Sequence, residues 1–146
     1  MMQAPAHLHP AVAKSLDAWH TLVERKDLDA LEAIVHPDAV FRSPMAFNPY
    51  GPAPALLLAL RTVITIFQDF TYHRQFASAD GLNVVLEFSA VVDDKRLKGI
   101  DMIRFDEQGR IVDFEVMIRP LNALQALGAA MGARLGQVLP GFKQKS

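Results

Sequence analysis

No cysteine occurs in the chain. That excludes a disulfide framework, a thiolate nucleophile, a zinc–thiolate site and an iron–sulfur cluster together. It agrees with a reducing, cytoplasmic setting, which is the expectation here. An excess of charge is also missing: 15 Lys and Arg stand against 16 Asp and Glu, for a net charge of −1. A chain so balanced has no global field to attract nucleic acid or an anionic membrane, so neither is expected as a partner. The most apolar stretch, Pro54 to Phe67, is interrupted by Arg61 and is too short for a membrane span. Met1 to Pro10 has no positive run followed by an apolar one, so no signal peptide is expected. There is no His pair at i,i+4 spacing, no EF-hand loop, no phosphate-binding glycine loop and no nucleophile elbow. We therefore expect no metal and no cofactor.

What is present is a hydrophobic share of 51% in 146 residues, enough for one core. A single domain is expected over 11–136, with flexible tails at 1–10 and 137–146. Val12, Leu16, Trp19 and Val23 form one face of a helix from about Ala11 to Arg25. Asp27 can cap a shorter helix carrying Leu28, Leu31 and Ile34. His36-Pro37-Asp38 reads as a turn and Val40 to Ser43 as a short strand. The next helix begins near Pro52 or Pro54 and is apolar on more than one side, the pattern of a buried helix.

From Phe70 onward the period shortens to two. Phe70, Tyr72, Arg74 and Phe76 share a face, and so do Leu82, Val84, Leu86 and Phe88. Asp80-Gly81, Asp93-Asp94 and Glu107-Gln108-Gly109 are turns separating four strands, the last from Ile111 to Ile118. Phe114, Val116 and Ile118 lie on its dry face, and Asp113 and Glu115 on the wetter one. Pro120 ends the sheet, and a helix from about Leu121 to Leu135 follows, rich in Gly and Ala. Helices first and a meander after them argue an α+β fold. Strong curvature of such a sheet would leave a conical cavity under the helices, a geometry the pattern permits without requiring it.

The stretch Gly99-Ile100-Asp101-Met102-Ile103-Arg104-Phe105-Asp106-Glu107-Gln108-Gly109-Arg110-Ile111 resembles the penultimate strand, turn and last strand of ketosteroid isomerases. With Asp27-Leu28, His36 to Phe41 and Ser43-Pro44, it resembles more broadly the SnoaL-like proteins of the nuclear transport factor 2-like superfamily. The resemblance spans about Ala11 to Pro120. It implies a cone-shaped, curved antiparallel sheet wrapped as an α+β barrel on N-terminal helices, with a C-terminal helix added. It also implies a homodimer and a cavity for a small hydrophobic molecule. Carried over residue by residue, the isomerase's base falls on Ser43 and its tyrosine on Trp19, while its protonated aspartate falls on Asp101. A serine hydroxyl is too weak a base to take a carbon-bound proton, and an indole N–H can only donate. The resemblance thus implies the fold without the standard ketosteroid isomerase.

Asp101 shares its strand face with Leu97, Ile103 and Phe105, where a carboxyl favours its neutral form. It is the candidate acid or oxyanion stabiliser in an isomerase, cyclase or dehydratase acting on a carbonyl compound. A structural pairing with Arg74 or the Trp19 N–H is the alternative. The expected cavity wall is Trp19, Phe41, Ser43, Leu57, Phe67, Tyr72, Arg74, Phe88, Phe114, Val116 and Ile118, with a strand twist or bulge that carries Arg74 to the rim as the alternative for that residue. His20 lies one position off the helix stripe, where an exposed contact with Glu24 is expected, but it is also the nearest base to Trp19. A non-catalytic carrier of an apolar metabolite and a homodimeric interaction module remain the competing functions.

Overall fold

The computed structural model describes residues 5–144. Helix α1 (Pro10–Arg25) starts with Pro10 in its first turn, where no N–H is needed. The His9 side chain accepts from the Ala11 N–H there, and the helix ends at Lys26 in the left-handed region. Its buried face includes Val12, Leu16 and Trp19, as the stripe predicts, but also His20. A 3-10 segment, Asp29–Ile34, takes the place of the expected second helix.

Strand β1 (Val35–Arg42) absorbs His36-Pro37-Asp38, which the sequence reading makes a turn. The register of β1 slips between Val35 and Val40, so Pro37 sits in the irregular stretch where its missing N–H breaks no ladder bond. Helix α2 (Ala53–Ile66) buries Ala55, Leu56, Leu57, Ala59 and Leu60, consistent with its all-round apolar sequence. Strands β2 (Gln68–Ala77), β3 (Asn83–Val92), β4 (Lys95–Phe105) and β5 (Ile111–Arg119) form the antiparallel meander. Helix α3 (Leu121–Leu135) packs back over β4 and β5 and against α2.

The sheet has five strands in the order β1-β5-β4-β3-β2. β1 joins β5 in parallel, so the sheet is mixed rather than antiparallel throughout. β1 and β2 are its two edges, with β5, β4 and β3 between them. The expected cone-shaped barrel is therefore corrected to an α+β fold with an open sheet. A barrel needs its first and last strands to pair, and these do not.

The inner face is readable from β4, where Leu97, Gly99, Asp101, Ile103 and Phe105 are buried while Lys98, Met102 and Arg104 are exposed. Gly99 is needed there. A Cβ would lie 2.6 Å from the Met117 carbonyl oxygen and 2.7 Å from the Phe88 ring. Phe88 is itself fully buried and cannot withdraw to solvent. Gly99→Ala is thus expected to destabilise by about 1–3 kcal/mol, the usual range for overpacking, as read from urea midpoints.

The ends of the chain are partly held. Leu8 is buried, and the His9 N–H donates to the Gly81 carbonyl. A 3-10 turn at Leu139–Phe142 is followed by a bridge from Lys143 to Tyr50. The remainder of the expected tails, residues 1–4 and 145–146, lies outside the described residues. No helix among the described residues is long and apolar enough to cross a membrane.

Candidate functional site

The inner sheet face, α1, α2 and α3 leave a partly open cavity of about 240 Å³ between them. Its wall is almost wholly apolar. Val23 of α1, Val63 and Ile64 of α2, Phe70 of β2 and Phe114, Val116 and Ile118 of β5 all contribute. Leu127, Met131 and Leu135 of α3 form its roof, and Ser43, Met45 and Tyr50 come from the loop after β1.

Among the described residues Asp101 is the only carboxyl in that wall, and it is buried, with 6% of its surface exposed. Tyr72 donates its O–H to Asp101 Oδ2 at 2.6 Å. The Trp19 indole N–H donates to the Tyr72 oxygen at 3.0 Å. Indole can only donate, so Trp19 occupies a lone pair of the phenol and leaves its hydrogen free for the carboxylate. The alternation of β2 and β4 places Tyr72 and Asp101 on the inner face, and β3 spaces them across the sheet.

Burial pushes the Asp101 carboxyl up to about 7, against the opposing pull of the Tyr72 hydrogen bond. The group is therefore divided between acid and carboxylate near neutrality. The Tyr72 phenol is pushed well above its ordinary value, first by burial and then by the Asp101 charge, so it remains a donor. Burial also holds His20 below the usual imidazole value.

Of the residues expected in the wall, Trp19, Phe41, Ser43, Phe67, Tyr72, Phe114, Val116 and Ile118 line the cavity. Leu57 and Phe88 are core residues behind it. The Ser43 Oγ accepts from the Met45 N–H at 3.0 Å, a local turn contact. Arg74 does not line the cavity, and the bulge alternative holds for it. A register shift between Tyr72 and Gln75 turns it to the outer face, where its guanidinium bonds both Glu87 oxygens at 2.6 and 2.8 Å. That pairing, followed by Lys98, holds the Glu87 carboxyl down at about 2. Arg74 therefore never reaches Asp101, whose partner is Tyr72.

His20 is corrected too. It is buried, not paired at the surface with Glu24, and its ring meets Tyr72 edge-on at 5.2 Å. Phe70, Tyr50 and the α3 residues were missed as wall. Phe70 shared the Tyr72 periodicity, but nothing local tells on which side of the sheet a C-terminal helix will fold back.

A model of the SnoaL-like domain matches residues 16–114. A steroid delta-isomerase from Pseudomonas aeruginosa is 60% identical, covers 91% of this chain and 97% of its own, and superposes with a TM-score of 0.87. An uncharacterised bacterial protein with a cystatin-like fold from Silicibacter pomeroyi is 28% identical over 91% of this chain and 90% of its own, with a TM-score of 0.80. The epoxide hydrolase/cyclase-like enzyme SalBIII shares the fold alone, at 16% identity over 75% of this chain and 91% of its own, with a TM-score of 0.62. No curated protein sequence matches. The expectation of a site lacking the isomerase's tyrosine and base does not stand, and neither does the exclusion of a standard ketosteroid isomerase. Tyr72 on β2 sets a phenol against Asp101, where the carry-over onto α1 finds only Trp19, and burial raises that carboxyl to about 7. The 60% identity to an isomerase points the same way. Domain match, shared architecture and apolar pocket agree that the chain belongs to the SnoaL-like family.

Proposed function

We propose that the protein is a cofactor-independent isomerase that moves a carbon–carbon double bond into conjugation with a ketone on a small, hydrophobic, fused-ring compound. The observation that carries this reading is the buried Asp101, with its proton affinity near neutrality and Tyr72 bonded to it, in a wall otherwise greasy. Similarity to a steroid delta-isomerase supports the choice among carbonyl reactions.

In the proposed reaction the Asp101 carboxylate takes a proton from the carbon between the ketone and the double bond. The electron pair moves to the carbonyl oxygen, giving a dienolate and a neutral Asp101. A carboxylate near 7 is a far better base than one near 4, and its strength matches the working pH. Once neutral, Asp101 accepts more weakly, and the Tyr72 hydrogen turns to the dienolate oxygen. Trp19 holds the phenol oxygen through this change. Asp101 then returns the proton to the far carbon of the dienolate, and the conjugated ketone leaves. Atoms and charge balance with no further reactant.

The test is a β,γ-unsaturated 3-ketosteroid incubated with the protein while absorbance of the conjugated enone is followed. Growth of that band, with the proton recycled rather than drawn from solvent, is expected. Tight binding with no growth would replace the reading by a carrier.

The outer sheet face supports a homodimer as part of the same reading. Met102 and Met117 are 37% and 46% exposed there beside Val85 and Ile100. Sedimentation at micromolar concentration is expected to give twice the chain mass. The even charge balance supports a partner list without nucleic acid.

A further inference from the structure

We infer that His20 is a positioning residue of this site, acting through Tyr72 to hold the hydrogen-bond donor of Asp101 in place. The inference rests on the isomerase reading above and adds a residue that does not itself line the cavity but packs against Tyr72, which does.

Trp19 and His20 are neighbours on α1, and both reach the same phenol. Trp19 fixes its oxygen. His20 meets its ring at 5.2 Å with the planes 82° apart, and Phe70 meets it at 4.9 Å and 88°. Phe88 adds a third edge contact at 6.4 Å, so the ring is gripped on three sides while its hydroxyl is gripped at two points. Such a grip is needed because β2 is weakened here. Tyr72 pairs with Phe88, but only within a two-residue stretch bounded by register slips before Thr71 and after Tyr72, so the ladder holds the strand over a short length at the residue that matters. His20 packs against both ends of the second slip: Tyr72 by its ring, and Gln75 as the side chain facing its imidazole.

The surroundings disfavour a charged imidazole. Burial lowers its proton affinity, outweighing Gln75 and the pull of Glu24 and Asp17 on its own helix. Lys26 stands at the rim of the same hollow, and Asp101 lies beyond Tyr72.

The experiment compares His20→Ala, His20→Phe and Tyr72→Phe with the wild type in the steroid assay across pH, with circular dichroism to verify folding. His20→Ala is expected to lower kcat roughly tenfold, as a small misplacement of a catalytic group does, with KM little changed. It should also move the midpoint of kcat/KM upward in pH, because a displaced Tyr72 no longer favours the Asp101 carboxylate. Tyr72→Phe should move the midpoint further the same way. His20→Phe restores an aromatic edge and should recover most of the loss. If His20→Ala does not fold, His20→Leu carries the same expectation with the bulk kept. A midpoint that stays put in His20→Ala while Tyr72→Phe shifts it overturns the role of His20. So does a His20→Phe variant as impaired as the alanine. A midpoint unmoved in Tyr72→Phe as well overturns the assignment of Asp101 itself.

Discussion

Asp101→Asn lowers kcat by about three orders of magnitude, inside the range typical of losing a positioned acid–base group, and leaves affinity for the conjugated product nearly unchanged. The substitution keeps the size of the side chain and an oxygen for the Tyr72 hydrogen bond, so the cavity stays intact. What is lost is the ability to take a proton. The pH profile assigns the direction. The carboxylate form of Asp101 is populated above about 7, so kcat/KM in the wild type should rise with pH through that value and then level. A profile that falls above 7 would mean that the neutral acid is the active form and that Asp101 only donates to the carbonyl. A variant that retains most of its turnover would remove Asp101 from the chemistry. Product affinity, measured by displacement of a hydrophobic dye, separates a chemical defect from a collapsed pocket.

The local signal was strong where periodicity is local. Asp101 was found because alternation along one strand put a carboxyl on the face of Leu97, Ile103 and Phe105, and all three are buried with it. Its partner was not legible. Tyr72 lies 29 residues away and reaches Asp101 across an intervening strand. No pattern within one strand encodes that register. Strict alternation puts Arg74 inside and a bulge puts it at the rim, and the slip between Tyr72 and Gln75 in β2 decides for the bulge by turning the side chains after it. His20 was placed outside because a four-residue stripe underestimates how much of α1 is covered, since its neighbour Tyr72 arrives from the sheet. The parallel pairing of β1 with β5 was hidden by Pro37, which reads as a turn and is tolerated here only because the strand is an irregular edge. The closed barrel came from resemblance and not from any residue pattern, and the open edges of β1 and β2 correct it.

The same carboxyl makes a second, independent prediction about stability. Asp101 has a folded value of about 7 against 3.8 for the unfolded chain, so the folded state holds its proton the more tightly. Its contribution is fully present below about pH 4, is lost as pH rises toward 7, and is constant above that. At about 1.4 kcal/mol per pH unit, the loss amounts to about 4 kcal/mol. Two other groups titrate with the opposite sign. His20, whose proton affinity burial lowers, favours the folded state as pH rises. Glu87, held down at about 2, loses its stabilisation only as pH falls into the acid range. The wild type alone therefore shows a blurred dependence, but both groups cancel in the difference between wild type and Asp101→Asn. That difference, from urea midpoints at a series of pH values, should be near zero at pH 4 and should grow in favour of the variant until about pH 7. Parallel curves would show that the pocket does not alter the proton affinity of Asp101, and the proposed base would lose its physical ground. Diverging curves would mean that at neutral pH the fold carries a carboxylate it would be steadier without, the expected mark of a residue kept for chemistry and not for packing.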